Sequence, residues 1–536
     1  MSAFFTPSRR FPSVCACLIL LLLSRVPAMV CPFELNRDES QMAAQAMRYE
    51  HDLTPWRSVE GETNGPLDSW LLLAAHDLGM PLGYRELHIL GALCLASILL
   101  ATYAAARSLV GETPALLGLA AGSWWLACAP VEDLTHYSSE LVPGLLISLA
   151  LAAIARARRA GSGRDWRWGF AAGALLGLAP WGKLQSGPVA LVLGIWALAD
   201  GLAGDAASRP FRRRYAAALI AGAILPGAFL LAWLAGAGAL EEFWRVYIVG
   251  GIYHGRSRPW GAHWTNLKDL LFWRPDSPWI WDVALVCAGA LWVRGWAGWQ
   301  SAPRRILLLA LLWFLAGVFV ALRPITQWTH YAIFILSPGV FLAAISARVL
   351  LGSDPPAGGG EAGRPDPGRR RGWLVLTLGI LPLPALNFAH YHYYRAARAM
   401  ASSRTAFAGQ IVLVQAVRHF VPQPRSLAVW GWKPSLYVDL GLPPATRNAV
   451  CAFLTDGNPN QEFLRAAFMG DLEKSRPELI VDVEDYVYRG RRQTAPETFP
   501  ALADYLEQNY DLAGRSAVPR NLDYSLAIAI YIRRQN

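Results

Sequence analysis

Two acids stand side by side at Asp38-Glu39, a few residues beyond the first apolar run of the chain. A carboxylate pair at such a boundary is costly unless solvated or used, which makes it a candidate site. Its chemistry would be that of a general base taking a hydroxyl proton. A second group lies at His136, Ser139 and Glu140. His136 and Glu140 are four apart and share a helix face, where they can hold a metal or a phosphate. Glu132 and Asp133 are further acids beside them, with no ranking between the two. A third group, within YIVGGIYHGRSRPWGAH, sets His254, Arg256, Arg258 and His263 among glycines and aromatics. Cations in such a loop suit a phosphate leaving group, and two histidines offer metal ligands without making a ligand set. Each group has a plainer alternative. The acids can cap a helix starting near Ser40, the His136–Glu140 pair can be a capped helix start, and the arginines can bind lipid headgroups.

These residues are punctuation between apolar runs. The chain has 536 residues, 54% hydrophobic and 16% charged, against about a quarter charged in a soluble domain. Eleven runs are visible: Phe11–Val30, Leu87–Leu109, Pro114–Ala129, Leu141–Ala157, Gly169–Pro180, Pro188–Leu202, Tyr215–Leu234, Trp279–Val293, Ile306–Leu322, Tyr331–Leu351 and Trp373–Phe388. They predict an α-helical polytopic membrane protein of about eleven spans. The first run carries Arg25 and lacks a small-x-small site before the dyad, which favours a retained span over a cleaved signal peptide.

The net charge of +10 is concentrated in short loops, such as Arg212-Arg213-Arg214 and Arg369-Arg370-Arg371. That is a topology signal and not a nucleic-acid surface. Placing Arg9-Arg10 in the cytoplasm makes each successive inner loop basic. The acids then fall in outer connections, chiefly the loop 31–86, and the C-terminus lies outside. Seven scattered cysteines show no metal-type spacing and predict no disulfide framework. After a Pro/Gly-rich linker (Ser353–Gly372) and one last run, composition changes. Residues 391–536 read as a small outward α/β domain following the multi-span unit 1–390. Its strands are expected at Ser426–Trp430, Glu478–Val483 and Leu526–Ile532, its helices at Gln461–Lys474 and Phe499–Gln508.

The stretch NRDESQMAAQAMRYEHDLTPWRSVEGETNGPLDSW resembles the first outer loop of the GT-C superfamily, the polytopic glycosyltransferases that use lipid-linked sugars. In its aminoarabinose- and mannose-transferring bacterial branch, related to the dolichyl-phosphate-mannose-protein mannosyltransferases, an acidic dyad precedes a Pro-Leu turn. Asp38-Glu39 and Gly65-Pro66-Leu67 hold those places, with Asn64-Gly65-Pro66-Leu67 where Lys-Pro-Pro-Leu is usual. HYAIFILSPG is similar to that family's aromatic segment in the tenth span. The segment from Trp181 to Pro188 is similar to its Gly-rich connection, and VWGWKPSLYVDLGLPPATR to its C-terminal domain.

The resemblance implies a GT-C fold and transfer of a monosaccharide from a polyprenyl-phosphate donor to a periplasmic lipid, glycan or protein hydroxyl, with inversion. It implies Asp38 as base and Glu39 as acceptor-orienting or metal-binding. Lys183, Arg256, Arg258, Arg323 and His330 would lie near the donor phosphate. Glu140, His136 and His254 would serve a metal or the acceptor, with a divalent metal ion as a conditional cofactor. The place implied is the bacterial inner membrane, N-terminus cytoplasmic and C-terminal domain periplasmic. Lys183 has the alternative of an interfacial snorkelling residue, Arg323 that of an anchor and Pro338 that of a kink. The rival reading is a transporter or flippase of lipid-linked saccharides, which expects ionisable groups at mid-membrane.

Overall fold

A computed structural model describes residues 10–129, 132–159, 165–203, 209–254, 260–273, 277–300, 304–324, 328–352, 367–386, 389, 409–455, 457–483, 487–488, 491–492, 498–517 and 527–535. The protein is an α-helical membrane protein with a small C-terminal sheet. Ten of the eleven apolar runs fall on one helix each: α1 (Arg10–Met29), α4 (Tyr84–Val110), α5 (Glu112–Cys128), α6 (Leu141–Arg159), α7 (Trp166–Gly182), α8 (Gly187–Leu202), α9 (Arg209–Ala237), α13 (Ser277–Gln300), α14 (Arg304–Leu322) and α15 (Ile333–Leu351); the eleventh begins on α16 (Pro367–Ile380) and, past a bend at Leu381, continues on helical residues 382–386. Between them lie α2 (Arg37–Tyr49), α3 (Pro66–Asp77) and the short α10 (Leu240–Glu242), α11 (Gly251–His254) and α12 (Trp260–Lys268). Among the described residues, seven helical segments are long and apolar enough to cross a membrane, in α1, α4, α6, α8, α9, α14 and α15.

Helix α15 is the axis of the bundle. All but one of its 19 residues are buried, because α4, α5, α13 and α14 surround it. Its Ser337 meets the hydroxyls of Thr102 at 2.9 Å and Ser148 at 2.6 Å, so these three buried hydroxyls satisfy one another. Arg25 shows why α1 belongs to this bundle. It is buried, and it donates to the open carbonyls of Leu126 (2.8 Å) and Ala129 (3.4 Å), where α5 ends.

The C-terminal unit is a four-stranded sheet of order β1-β2-β6-β5. Strand β1 (Leu427–Trp430) runs parallel to β2 (Leu479–Val483). Strand β2 and then β5 (Tyr510–Ala517) run antiparallel to β6 (Ala527–Arg533). A separate hairpin pairs β3 (Val487–Tyr488) with β4 (Arg491–Arg492). The described part of α17 (409–420) precedes the sheet; α18 (Ser435–Leu440), α19 (Ala452–Thr455), α20 (Gln461–Ser475) and α21 (Pro500–Asn509) pack around it. The expected strands and helices lie within about one or two residues of these bounds. Strand β5 was not expected; its sequence YDLAGRSA has little alternation, and it bulges between Leu512 and Gly514.

This unit grips the loop that carries the acidic dyad. Lys433 pairs with Glu34 at 2.7 Å, and Asn448 donates to Glu60 at 3.2 Å. The Phe453 N–H reaches Glu62 at 3.3 Å, and Arg48 donates to the Pro444 carbonyl at 3.2 Å.

Candidate active site

Helix α2 starts from a capping box. Asn36 accepts from the Asp38 N–H at 2.9 Å, while Glu39 accepts from the N–H groups of Leu35 (2.6 Å) and Asn36 (3.4 Å). This reciprocal pattern satisfies the open donors of the first turn and sends the two acids different ways. Glu39 is fully buried and turns to His88, 3.0 Å away. Asp38 points to a shared space, with its side chain 24% exposed and Oδ2 3.8 Å from His330 Nε2. The capping alternative therefore describes Glu39, while Asp38 is left available.

Four other segments meet Asp38. His330 comes from the 3₁₀ turn Thr329–Ala332 leading into α15. Its Nε2 lies 3.9 Å from Glu140, and its Nδ1 lies 4.0 Å from Asp133. Asp133, in the 3₁₀ turn Glu132–Leu134, ties these pieces together: it accepts from Asn36 Nδ2 at 2.8 Å and from the Thr329 N–H at 2.9 Å. His136 sets its ring 5.6 Å from that of His330, nearly perpendicular to it. Glu140, fully buried just before α6, bonds directly to Lys183 Nζ, which also donates to Ser139 Oγ at 2.7 Å.

Lys183 arrives by way of the turn at Gly65. The Gly65 N–H donates to the Gly182 carbonyl at 2.6 Å. A Cβ on Gly65 would stand 1.8 Å from the Trp181 carbonyl oxygen, so only glycine permits that approach. Asn64 and Lys183 thereby form a backbone bridge, and Pro66 begins α3 at its first turn.

Charge follows geometry. Burial raises the Glu140 carboxyl, but Lys183 and His330 outweigh it and bring the pKa down to about 2. Asp133 is raised by burial and lowered more by His330, His136 and the Thr329 N–H, ending below the ordinary carboxylate range. Asp68, third residue of α3, goes the other way. Burial pushes it well above that range and Glu140 adds to the push, with Lys183 offsetting only part. The site thus combines an accessible carboxylate, a buried and a half-buried ionised acid, an ammonium and two imidazoles. Asp38, His136 and His330 can each offer a ligand atom within 4.8 Å of the others, so this trio can hold a metal ion.

Of the residues expected in the site, Asp38, His136, Glu140, Lys183 and His330 come together. Glu39 is turned aside into its cap. His254 ends α11, its ring 6.4 Å from that of Phe453 in the C-terminal unit. Arg323 follows α14, half-buried, and makes no ion pair with Asp38, Asp133 or Glu140. Arg256 and Arg258 lie outside the described residues. Sequence reading left Asp133 unranked and missed Asp68 and His88. An acid directly after Gly-Pro-Leu, and a histidine opening a run of apolar residues, were the signals available.

No protein-family model matches this chain, and no curated protein does. Solved structures do match. The chain is similar to ArnT from Cupriavidus metallidurans bound to undecaprenyl phosphate, at 16% identity and a TM-score of 0.60 over 97% of each chain. It is similar to the same protein in its apo state at 16% identity and a TM-score of 0.56, over 96% of this chain and 97% of that one. The chain has the GT-C fold. The match runs nearly end to end over both chains.

Proposed function

We propose that this protein is a membrane glycosyltransferase that moves a monosaccharide from a polyprenyl-phosphate donor to a hydroxyl acceptor. The acceptor would be a lipid, a glycan or a protein. The observation that carries this reading is the convergence of Asp38, Glu140, Lys183 and His330, from four separated stretches, at one end of a bundle with the fold of a protein seen bound to undecaprenyl phosphate. In this reaction the acceptor oxygen forms a bond to the sugar C1 as the bond from C1 to the phosphate oxygen breaks, with inversion. The proton of the acceptor hydroxyl goes to Asp38, and the electron pair leaves with the lipid phosphate. Lys183 and His330 lie where that charge develops, and preorganised donors of this kind contribute strongly in a water-poor site.

The same reading puts the chain in a bacterial inner membrane, with the basic loops inside and the Asp38 end outside. Residues 1–390 carry the chemistry, and residues 391–536 form a periplasmic unit that braces the first loop. Arg256, Arg258 and Arg323 remain assigned to the donor phosphate in this reading, and a divalent cation belongs to it as cofactor.

The test is sugar transfer by the purified protein in liposomes, with a panel of polyprenyl-phosphate monosaccharides. Turnover of one donor, yielding the free lipid phosphate and a product of inverted anomeric configuration, is expected. Movement of the intact donor across the bilayer without any transfer would replace the transferase with a flippase.

A further inference from the structure

Helix α6 leads away from Glu140 and ends at Arg159, so its last turn marks the far end of the bundle from Asp38. Two arginines there are committed to the fold. Arg158 pairs with the buried Asp200 at 2.9 Å, and Arg212 donates to the Leu202 carbonyl at 2.7 Å, where α8 ends. Others are not. Arg156, Arg159, Arg167, Arg209, Arg213 and Arg214 are exposed, and among the described residues none of them pairs with a carboxylate. The adjacent acid, Asp165, caps α7 by accepting from the Arg167 N–H at 3.0 Å.

Some of these charges are gathered and not scattered. Helices α7 and α9 run parallel and in contact: a Cβ on Gly169 would meet Tyr215, one on Gly173 Leu219, and one on Gly177 Ala223. The two helices therefore begin side by side. Trp166, the first residue of α7, is 38% exposed and has two guanidinium groups over its ring. That of Arg214, from α9, lies 5.1 Å from the ring centroid, and that of Arg167 lies 5.9 Å from it. Stacking holds a guanidinium by its face, so its in-plane N–H donors stay available for a bidentate bond to phosphate. Two cations on one ring repel each other, and an anion between them turns that repulsion into attraction. Tryptophan at the end of a membrane helix sits at headgroup level. Ala221 and Leu225, both exposed, fall at i+7 and i+11 from Arg214 and so continue its face along α9 as apolar surface.

We infer that Trp166, Arg167 and Arg214 form a binding site for the phosphate of an anionic phospholipid, whose acyl chains lie along the exposed face of α9. Basic pockets between membrane helices take anionic headgroups in this way. A lipid fits better than a soluble phosphate, because the cations and the apolar face below them form one continuous surface. The inference goes beyond the transferase reading and does not rest on it. That reading adds only the leaflet, which would be the inner one.

The experiment is native mass spectrometry of the detergent-purified full chain titrated with phosphatidylglycerol, with phosphatidylethanolamine and with glycerol 3-phosphate. One phosphatidylglycerol is expected to bind at least about fivefold more tightly than phosphatidylethanolamine, and a large excess of glycerol 3-phosphate should not displace it. Arg214→Gln should weaken that lipid about fivefold, since a basic residue near an anionic surface is worth about 1 kcal/mol. Arg214→Lys keeps the charge but not the planar fork, so it should recover only part of the loss. Trp166→Leu should weaken binding as Arg214→Gln does. Arg304→Gln removes another exposed arginine at the same end, beside the Arg305 that reaches Asp200, and should change nothing. Wild-type melting temperature should rise with phosphatidylglycerol and not with phosphatidylethanolamine, which keeps the test valid if a variant fails to fold. Equal affinity for the two lipids, or an equal loss in Arg304→Gln, would reduce the site to diffuse charge and overturn it. Displacement by glycerol 3-phosphate would overturn the lipid in favour of a soluble anion. No sugar is transferred in any of these measurements, so a failure of the transferase reading and a failure of this site are told apart.

Discussion

A buried acid stands near each end of helix α6, Glu140 just before it and Asp200, from α8, beside its last turn, and the two are kept in different ways. At its C-terminal end Asp200, 3% exposed, takes Arg158 Nη1 at 2.9 Å, with Arg305 a further 3.8 Å away. Arg158 also lies over the Trp196 ring at 5.6 Å. At its N-terminal end Glu140 bonds to Lys183 through one oxygen, while its Oε2, the His136 Nε2 and the His330 Nδ1 have no hydrogen-bond partner among the described residues. Folding alone would favour the first arrangement at both ends, since an unmade buried hydrogen bond is destabilising. Polar groups kept short of partners mark the end where a ligand is due.

The sharpest way to break this contrast is to change one acid at each end. Asp38→Asn keeps size and hydrogen bonding but removes the carboxylate proposed as base. Turnover in the liposome assay should fall by roughly a hundredfold or more, the usual scale of general-base catalysis. Asp200→Asn should lower the melting temperature and leave turnover per folded molecule within about twofold, because ion pairs at the far end touch no reacting atom. Equal losses from both would mean that the two ends differ in packing and not in role.

Next in size is the Lys183–Glu140 pair. Lys183→Met strands a buried carboxylate, which typically destabilises by about 3–5 kcal/mol. Thermal unfolding in detergent should show the loss, and Lys183→Met with Glu140→Gln should regain much of it by removing both charges. Undecaprenyl phosphate binding should not recover in the double variant if Lys183 faces the donor. Recovery of both stability and lipid binding would make the pair structural, like that at Asp200.

A third buried pair sharpens the contrast, because it is close to Asp38 in sequence yet fully partnered. Glu34 accepts from Lys433 at 2.7 Å and from Ser40 at 2.6 Å. Burial raises its carboxyl, and Lys433 outweighs burial, so the folded pKa lies below the ordinary glutamate value. A depressed folded pKa makes the unfolded chain bind more protons, so the pair's stabilisation is complete above about pH 4.3 and is lost as pH falls below it. Melting temperature should therefore drop on acidification through that window, and drop less in Glu34→Gln with Lys433→Met. An unchanged acid limb in the double variant would show that the C-terminal unit is held by its other contacts.

How much of this was legible in advance follows the range of the signals. Ten of the eleven runs mapped onto one helix each, and the last onto two helical stretches either side of Leu381, because hydrophobicity over about 20 residues is local information. Asp38, His136 and Glu140 could be singled out because each is a polar residue flanking an apolar run, whereas Lys183 and His330 were singled out by the GT-C resemblance of the segments that carry them. That Asp38 and Glu39 diverge was not legible, since it depends on Asn36 and not Asp38 being the N-cap and on His88, nearly fifty residues away. Asp133 as the tie between α2 and the turn before α15 was hidden for the same reason: its partners Asn36 and Thr329 are remote in sequence. Strand β5 escaped because pairing with β6 gives it its conformation, against a sequence with little strand preference.

The smallest expected effect concerns the dyad itself. Glu39→Gln preserves an acceptor for the N–H groups of Leu35 and Asn36 but takes the charge from His88, both side chains being fully buried. Losing a charged hydrogen-bond partner in such a place costs about 1–3 kcal/mol. The helix carrying Asp38 stays capped, so turnover per folded molecule should change by no more than about threefold, measured beside a melting curve that is visibly lower. A loss as deep as that of Asp38→Asn, with the melting temperature unchanged, would return Glu39 to the chemistry and make the dyad act as a unit. The two neighbouring acids, alike in charge and one bond apart in the chain, differ in function only if the capping box is what separates them.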